Sequence, residues 1–376
     1  MIPGRRCRRE EGARVIEKVQ FRNFKAYRSL DLELEPFTVL VGPNASGKTT
    51  LLEGLRMPAM LHSLQMHRIP ESFRSFGASK PSTLRFQSRI DGFPAEVLVE
   101  GPGSTAVRNF VYSAVDESAR QGILKVSEEL RWILASAVLL RLDSKKLAEA
   151  SYSDDQEPGL SSDGLGLASA LAFLKLSHED LFEEIESALK QIVPTVRKIR
   201  VERAAVERSS LRTLALDAQT THVAETRTLW GNRIVLDMQG AKAVPADSVG
   251  EGTLMALGLL TVLLGKRRPR FLLLDDIELA LHPVAQGKLI DLLRAIQKNS
   301  PGLQIVATSH SPFILNYLKP EEIRMTFLEE NGFARCEKLT AHPEFEKWKD
   351  LMSPGEFWST VGESWIGKVP ASATHE

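Results

Sequence analysis

The feature that most constrains the fold is a glycine-rich loop between an apolar stretch and a helical pattern. Residues 42–49 read Gly-Pro-Asn-Ala-Ser-Gly-Lys-Thr and fit G-x-x-x-x-G-K-[ST] at every fixed position. Backbone N–H groups of such a loop converge on a phosphate, and the following helix adds its positive N-terminal end. The sequence therefore predicts a nucleotide-phosphate loop formed by Gly42, Pro43, Asn44, Ala45, Ser46, Gly47, Lys48, Thr49 and Thr50.

Lys48 and Thr49 carry the chemistry of this loop. The Lys48 ammonium is predicted to contact the β- and γ-phosphates of ATP, and the Thr49 hydroxyl is predicted to be a Mg²⁺ ligand. A second candidate ligand follows the apolar strand Phe271–Leu274, which ends in Asp275 and Asp276. Ligands of α/β sheets bind at such strand ends. Asp275 is therefore predicted to hold Mg²⁺.

Three further residues are candidate catalytic groups beside Lys48. Asp276 is predicted to accept a proton from the attacking water, or to orient that water. Glu278 is either a helper in this step or a hydrogen-bonding support for it. His310 follows the strand Gln304–Thr308 and is predicted to sense the γ-phosphate, although a lone histidine at a strand end often has a structural role.

Strand and helix patterns alternate in the last third of the chain, which predicts a parallel sheet. Helices over Gly252–Leu264 and Val284–Gln297 precede the two strands just described. In the middle of the chain, Ser177 and Asp180 resemble a capping box that starts a helix. The other predicted strands are Arg14–Phe21, Arg28–Glu35, Phe37–Val41, Thr83–Ile90, Ala95–Glu100, Val107–Tyr112, Ala137–Leu142, Val196–Val206, Leu211–Leu216 and Arg233–Met238. We therefore expect an α/β P-loop fold with a mixed sheet, helices on both sides, an antiparallel β-subdomain and a helical/β middle lobe.

The same patterns divide the chain into five segments. We expect a flexible basic tail over residues 1–13 and the N-terminal half of the nucleotide-binding head over residues 14–145. A Ser/Asp/Gly-rich stretch then marks the entry to a middle lobe over residues 146–243. The C-terminal half of the head follows over residues 244–330, and an aromatic segment with a tail occupies residues 331–376.

Charge and cysteine content restrict the partners and the compartment. Lys and Arg total 48, as do Asp and Glu, so binding of nucleic acid by bulk positive charge is disfavoured. The two cysteines, Cys7 and Cys336, cannot form a disulfide framework, which favours a reducing cytoplasm. The longest mostly apolar run is Leu254–Leu264, well short of the roughly 20 residues that span a bilayer. No membrane association is therefore expected.

Taken together, four motifs resemble the RecF/OLD-like branch of ABC-type ATPases. They are Phe21-Arg22-Asn23-Phe24-Lys25, the phosphate loop, Leu274-Asp275-Asp276-Ile277-Glu278 with Leu281-His282-Pro283, and Thr308-Ser309-His310-Ser311-Pro312. The resemblance implies an ABC-type, SMC-like head that binds ATP and Mg²⁺, and a second subunit that completes the site in a nucleotide-sandwiched homodimer. It also implies that Gly250, Glu251 and Gly252 contact the partner's nucleotide, and that Lys25 lies close to bound nucleotide or is a solvated strand-end lysine. Too few residues follow His310 for a Toprim domain, and no coiled-coil pattern is present, so we expect a stand-alone ATPase.

Three positions depart from the pattern of that family. Gly250 stands where a signature serine is usual, and Asp276 stands where a catalytic glutamate is usual. The shorter Asp276 side chain predicts slow hydrolysis. A glutamine expected after the strand Ala137–Leu142 is absent, and Asp143 could take its part as a longer-range contact to Mg²⁺ or water.

These features leave several functions open. The first is an ATPase component of a bacterial system that defends against phage or foreign DNA with a separate, nuclease-like effector. The second is a RecF-like DNA-repair clamp, and the third is a nucleotide-gated scaffold with little hydrolysis. A transporter ATPase fits least well, because the ending around His310 is unlike that of transporters.

Two surface features add hypotheses about partners. The first is a basic run, which consists of Arg197, Lys198, Arg200, Arg203, Arg208 and Arg212. We expect it either to contact DNA or RNA phosphate or to form a solvated strand face. The aromatic segment from Pro354 to Trp365 docks a partner protein, or it packs on its own ATPase core.

Overall fold

The structure is a computed structural model that describes residues 16–66, 69–90, 93–101, 128–216 and 219–361. Its strands are β1 Lys18–Phe24, β2 Tyr27–Glu33, β3 Phe37–Val41, β4 Thr83–Ile90, β5 Phe93–Glu100, β6 Val138–Leu140, β7 Val196–Leu216, β8 Gln219–Met238, β9 Ala241–Pro245, β10 Phe271–Leu274, β11 Gln304–Ser309, β12 Ile323–Leu328 and β13 Ala334–Lys338. Its helices are α1 Lys48–Ser63, α2 over residues 128–135, α3 Ser144–Ala148, α4 Leu167–Ser177, α5 Glu179–Ile192, α6 Glu251–Leu264, α7 Pro283–Asn299, α8 Pro312–Leu315, α9 Phe345–Trp348 and α10 Pro354–Val361. The predicted strand Val107–Tyr112 and the basic tail lie outside the described residues.

The chain divides into two compact units. The first comprises Met1–Leu139, Pro269–Glu278 and Leu293–Glu376, and the second comprises Leu140–Arg268 and Leu279–Leu292. The phosphate loop, both acidic residues after β10 and His310 all belong to the first unit. The five-segment division expected from the sequence stays a prediction.

A six-stranded sheet organises the first unit, in the order β13-β12-β3-β11-β10-β6. The pairs β10–β11, β11–β3 and β3–β12 are parallel, whereas β13 pairs with β12 in the antiparallel direction. The sheet is therefore mixed, and the α/β expectation is confirmed. Every residue of β3, β10 and β11 is buried, as is usual for strands covered on both faces.

A four-stranded antiparallel sheet in the order β2-β1-β4-β5 also belongs to this unit; the sequence predicted an antiparallel sheet here, but not that β1 and β2 are part of it. Its apolar face and one face of α1 contribute to a single buried cluster, in which Phe21, Leu51 and Leu55 are fully buried. A Cβ atom on Gly54 would lie 2.4 Å from the Phe21 ring. Because only glycine permits this approach, Gly54 lets α1 pack closely against β1.

The second unit combines helices α3 to α6 with the three-stranded sheet β7-β8-β9. Strands β7 and β8 form one long antiparallel hairpin, in one register from Lys198↔Asp237 to Leu216↔Gln219 and with a register shift between Val196 and Lys198. The sequence predicted three shorter strands here, with a gap after Val206, and that division was wrong. Thr226, Arg227 and Thr228 of β8 are exposed, so this part of the ribbon lacks the apolar alternation that indicates a strand.

The predicted capping box at Ser177 and Asp180 was also wrong. Ser177 is the last residue of α4, and His178 is the N-cap of α5 with no side-chain capping bond. The His178 amide donates to the Leu174 carbonyl at 2.7 Å, so the last turn of α4 takes up Ser177 before α5 begins.

Among the helices that the structure describes, none combines the length and the apolar character that crossing a bilayer requires.

Candidate functional site

The phosphate loop connects β3 to α1 through two residues in the left-handed backbone region, Ala45 at φ 62° and Gly47 at φ 97°. Gly47 is the N-cap of α1. A Cβ atom there would lie 2.8 Å from the Cβ of Ala334 and 3.0 Å from the Tyr27 hydroxyl. Conformation and space therefore both require glycine at this position. As a result, α1 begins at Lys48 with its free N–H groups at the loop.

Lys48 is buried within this loop, with 5% of the residue exposed. Its ammonium donates to the carbonyl oxygens of Gly42 and Pro43, both at 2.8 Å. Burial lowers the pKa of Lys48, and the nearby carboxylates of Asp276, Asp275 and Glu278 oppose this shift. The cation thus lies between the carbonyls of its own loop and the acidic end of β10.

Asp275 directly follows β10, and its carboxylate is held from two sides. The Thr308 hydroxyl donates to Asp275 Oδ1 at 2.7 Å, and the Thr49 hydroxyl lies 3.4 Å from Oδ2. The two predicted Mg²⁺ ligands are therefore neighbours. Both supply hard oxygen atoms, and Mg²⁺ is commonly held by one or two such groups plus substrate phosphates and water. The described residues contain no group of three or more His, Cys, Asp or Glu side chains that could hold a metal ion by themselves.

Asp276 projects from a left-handed backbone position with φ 59°. Its side chain is 64% exposed, and its Oδ1 lies 3.8 Å from Nε2 of His310. Its backbone N–H donates to the Thr308 hydroxyl at 2.8 Å. The carboxylate therefore faces open space beside His310, where water has access.

Glu278 holds the turn that carries His310. Glu278 Oε1 accepts the backbone N–H of His310 at 2.6 Å. The other oxygen, Oε2, is buried and has no hydrogen-bond partner. This geometry is that of a supporting hydrogen bond, and a role for Glu278 as a helper of the attacking water stays a prediction.

One pocket brings most of the predicted site residues together. It is lined by Ala26, Asn44, Ala45, Ser46, Gly47, Lys48, Thr49, Thr50, Asp275, Asp276 and His310. Lys25 is not among these lining residues, because its ammonium pairs with Glu53 and lies 4.4 Å from the Phe73 ring centroid. The pocket thus joins a phosphate loop, a candidate metal position and a candidate base.

The predicted signature residues belong to the second unit. Gly250 is the N-cap of α6, with φ −57°, and a Cβ atom added to it would meet nothing within 4 Å. In contrast, a Cβ atom on Gly252 would lie 2.8 Å from the Ala280 carbonyl oxygen. Asp143 in the same unit is the N-cap of α3, where its Oδ1 accepts the Lys145 N–H at 2.8 Å.

Two threonines support the site, and the sequence motifs assigned a role to neither. Thr308 bridges both acidic residues, and Thr326 on β12 contacts the Ser46 hydroxyl at 2.6 Å. A Cβ atom on Gly42 would lie 2.1 Å from the Thr326 carbonyl oxygen, so β12 packs directly on the loop. Thr308 is the first residue of the motif that contains His310, but this motif assigned it no role, and no sequence signal marked Thr326.

The other sequence hypotheses concern surfaces. In the described part of the basic run, Arg200 pairs with Asp237 at 2.6 Å and Arg208 pairs with Asp154 at 3.2 Å; binding of nucleic acid there stays a prediction. In the aromatic segment, residues 354–361 form α10. Phe357 is buried and lies 6.0 Å from the Phe345 ring, so the described part packs on its own unit.

A family model described as "AAA domain, putative AbiEii toxin, Type IV TA system" matches residues 37–316, which is more than half of the chain. A segment of 68 residues is 35% identical to the OLD nuclease of Thermus scotoductus, covering 18% of this chain and 13% of that protein. A segment of 49 residues is 47% identical to the DNA replication and repair protein RecF of Roseiflexus castenholzii, covering 13% of this chain and 12% of that protein. The matched segments thus span about an eighth of each relative.

Solved structures of SMC heads have the same fold. An SMC head bound to the C-winged helix domain of ScpA gives a TM-score of 0.55 at 15% identity, over 86% of this chain and 97% of that one. An SMC head with an extended coiled coil, bound to the C-terminal domain of ScpA from Pyrococcus furiosus, gives a TM-score of 0.52 at 14% identity. This match covers 89% of this chain and 99% of that one. At these identities the likeness concerns the fold, and it confirms the expected head type.

Proposed function

The chain belongs to the AAA-domain family whose model it matches, and on this premise we propose that it binds ATP with Mg²⁺ and hydrolyses ATP. Its family and fold are those of a RecF/OLD-like ATPase of ABC type. The proposal is carried by one observation: Lys48, Thr49, Asp275, Asp276 and His310 line a single pocket. A phosphate loop alone would support binding, whereas the added carboxylates supply the groups that hydrolysis needs.

Each residue has a definite part in this proposal. The loop N–H groups and Lys48 bind the β- and γ-phosphates of the substrate, and Lys48 exchanges its two carbonyl contacts for phosphate oxygens. Thr49 and Asp275 would hold Mg²⁺, which neutralises phosphate charge when bound. Asp276 accepts a proton from the attacking water, and His310 contacts the γ-phosphate from the neighbouring turn.

Hydrolysis is proposed to be slow, because Asp276 is one methylene shorter than the usual glutamate. Asp276→Ala should then lower the rate of phosphate release by about 10²-fold or more, the range typical for loss of a general base. If this variant releases phosphate at the wild-type rate, Asp276 is not the base. Should the wild type itself bind ATP and release almost no phosphate, a nucleotide-gated scaffold becomes the better description.

The decisive experiment separates binding from turnover. Calorimetry of the purified chain with Mg-ATP should detect binding, and Lys48→Ala should weaken it strongly, since a buried phosphate-binding cation is lost. Lys145→Ala is the matched control, because Lys145 is an exposed lysine in the second unit. Absence of binding by the wild-type chain would refute the proposed function.

We also propose that two copies close on ATP, with Gly250, Glu251 and Gly252 contacting the partner's nucleotide. The positive N-terminal end of α6 can contact phosphate without a serine hydroxyl. Gly250→Ser tests this contact, because the added side chain meets open space and serine is a good N-cap. In sedimentation experiments under conditions in which ATP is bound but not hydrolysed, this variant should dimerise at least as well as wild type. If the wild-type chain stays monomeric with ATP, the proposed dimer is refuted.

The biological role proposed first is the ATPase part of a cytoplasmic defence system with a separate nuclease-like effector, supported by the OLD-nuclease segment and by the family description. Co-purification of a nuclease-like protein encoded nearby would support it. The RecF segment supports a second role, a nucleotide-gated DNA clamp. Retention of plain duplex DNA only in the presence of ATP would favour the clamp, and retention in neither condition would count against it.

A further inference from the structure

Thr308 occupies a central position between the two acidic residues of the site. It lies in β11 and is fully buried. Its hydroxyl contacts Asp275 Oδ1 at 2.7 Å and the backbone N–H of Asp276 at 2.8 Å. A single side chain therefore contacts both Asp275, the proposed Mg²⁺ ligand, and Asp276, the proposed base.

The direction of both hydrogen bonds is fixed by the chemistry of the groups. A backbone N–H can only donate, so the Thr308 oxygen must accept from Asp276. The one hydroxyl hydrogen is then directed to the Asp275 carboxylate, which can only accept when ionised. Thr308 is thus a donor to one acidic residue and an acceptor for the other, and valine of similar shape could do neither.

These bonds determine how the acidic residues are presented. Because Oδ1 of Asp275 is engaged by Thr308, Oδ2 is the oxygen that faces the Thr49 hydroxyl at 3.4 Å. The same hydroxyl holds the N–H of Asp276, whose backbone lies in the left-handed region that residues other than glycine adopt infrequently. Loss of the Thr308 hydroxyl would release both constraints together.

We propose that Thr308 is a positioning residue, which presents Asp275 to Mg²⁺ and Asp276 to the attacking water. The inference rests on the proposed function, because it assigns Thr308 a part in that same site. Partners that orient a metal ligand typically change metal affinity or activity by about 10–100-fold when they are mutated.

The experiment compares Thr308→Val and Thr308→Ser with wild type. Thr261→Val is the matched control, because Thr261 is also buried but its hydroxyl donates only to the Leu257 carbonyl within α6. Binding of a fluorescent ATP analogue is titrated with Mg²⁺, and the phosphate-release rate and thermal unfolding are measured in parallel.

Thr308→Val should raise the Mg²⁺ concentration for half-maximal enhancement of nucleotide binding by about 10-fold or more. Binding of the analogue without Mg²⁺ should stay within about 3-fold of wild type, because the loop and Lys48 are unchanged. Thr308→Ser keeps the hydroxyl and should titrate like wild type, as should the Thr261→Val control. If Thr308→Val does not fold, Thr308→Ala removes the same hydroxyl without adding a methyl group and takes its place.

The positioning role of Thr308 and the proposed function would be refuted by different results. If wild type shows Mg²⁺-dependent binding and the valine and alanine variants titrate identically to it, Thr308 has no positioning role while the proposed function stands. If Thr308→Ser is as impaired as Thr308→Val, the effect is not that of the hydroxyl and the inference is overturned. If wild type binds no nucleotide at any Mg²⁺ concentration, the proposed function itself is refuted.

Discussion

Replacing Glu278 tests whether this residue supports the His310 turn or takes part in proton transfer. Glu278→Ala removes the acceptor of the His310 backbone N–H, which lies 2.6 Å from Oε1. Glu278→Gln keeps an oxygen that can accept this bond, but it removes the negative charge. The two variants therefore separate a hydrogen-bonding role from an acid–base role.

The expected effect on stability is small, because two contributions oppose each other. A hydrogen bond to a charged group stabilises a fold by about 1.5–3 kcal/mol, whereas a buried polar atom without a partner costs about 1–3 kcal/mol. Glu278→Ala removes the bond together with the unpartnered Oε2. We therefore expect the free energy of unfolding to change by less than about 2 kcal/mol for alanine and about 1 kcal/mol for glutamine.

The expected effect on turnover is larger for alanine. A shift of about 1 Å in a group next to the reaction can cost roughly 10²-fold in rate, and the turn with His310 loses its anchor in Glu278→Ala. We expect steady-state phosphate release to fall by about 10-fold or more in this variant and to stay within about 3-fold of wild type in Glu278→Gln. Thermal unfolding of both variants establishes that the fold is retained.

Glu186→Gln provides a matched control in the second unit. Glu186 also accepts a backbone N–H, that of Ile199 at 2.7 Å, and its substitution should leave phosphate release unchanged. If Glu278→Gln loses as much activity as Glu278→Ala while both stay folded, Glu278 acts through its charge and the supporting role is refuted.

Two further predictions concern stability. Gly355→Ala should lower the free energy of unfolding by about 1–3 kcal/mol, because the added Cβ atom would lie 2.1 Å from the Pro312 carbonyl oxygen. Gly159→Ala is its control, since a Cβ atom there meets nothing within 4 Å; equal melting temperatures of the two variants would contradict the prediction. Burial raises the pKa of the Cys336 thiol from 9.0 to about 12. Above pH 9.0 the unfolded chain therefore releases a proton that the folded chain keeps, so stability falls as the pH rises. Denaturant unfolding between about pH 8 and about pH 10.5 should show a steeper loss for wild type than for Cys336→Ala, by up to about 1.4 kcal/mol per pH unit, and parallel curves would refute this assignment.

Three of the buried parallel strands could be predicted closely from the sequence, whereas β12 was not among the predicted strands. Strands β3 and β10 have the predicted bounds, and β11 differs by one residue. Strands covered on both faces appear as short apolar runs, and here each run ends in a glycine, an acidic pair or a histidine turn that marks the boundary. The chemistry at these ends therefore identified both the strands and the candidate site.

The β7–β8 hairpin and the start of α5 could not be predicted in the same way. Strands β7 and β8 pair with each other along most of their length, and residues 226–228 of β8 are exposed, so this part of the pair needs no apolar alternation. Ser177 and Asp180 have the pattern that starts a helix, but Ser177 is still part of α4. The His178 N–H donates to the Leu174 carbonyl, so α5 begins one residue later than predicted. Local patterns do not contain the tertiary contacts that settle such cases.

Strand register explains why motif recognition found the site residues but not the contacts among them. Leu274 of β10 is level with Ala307 of β11, so the next residues, Asp275 and Thr308, come side by side. Ser309 is likewise level with Val41 of β3, which brings His310 beside the start of the phosphate loop. Because side chains alternate along a strand, a shift of one residue in β11 would present Ala307 or Ser309 to Asp275 instead. The hydroxyl that bridges the acidic residues is therefore a consequence of register, which no single motif specifies.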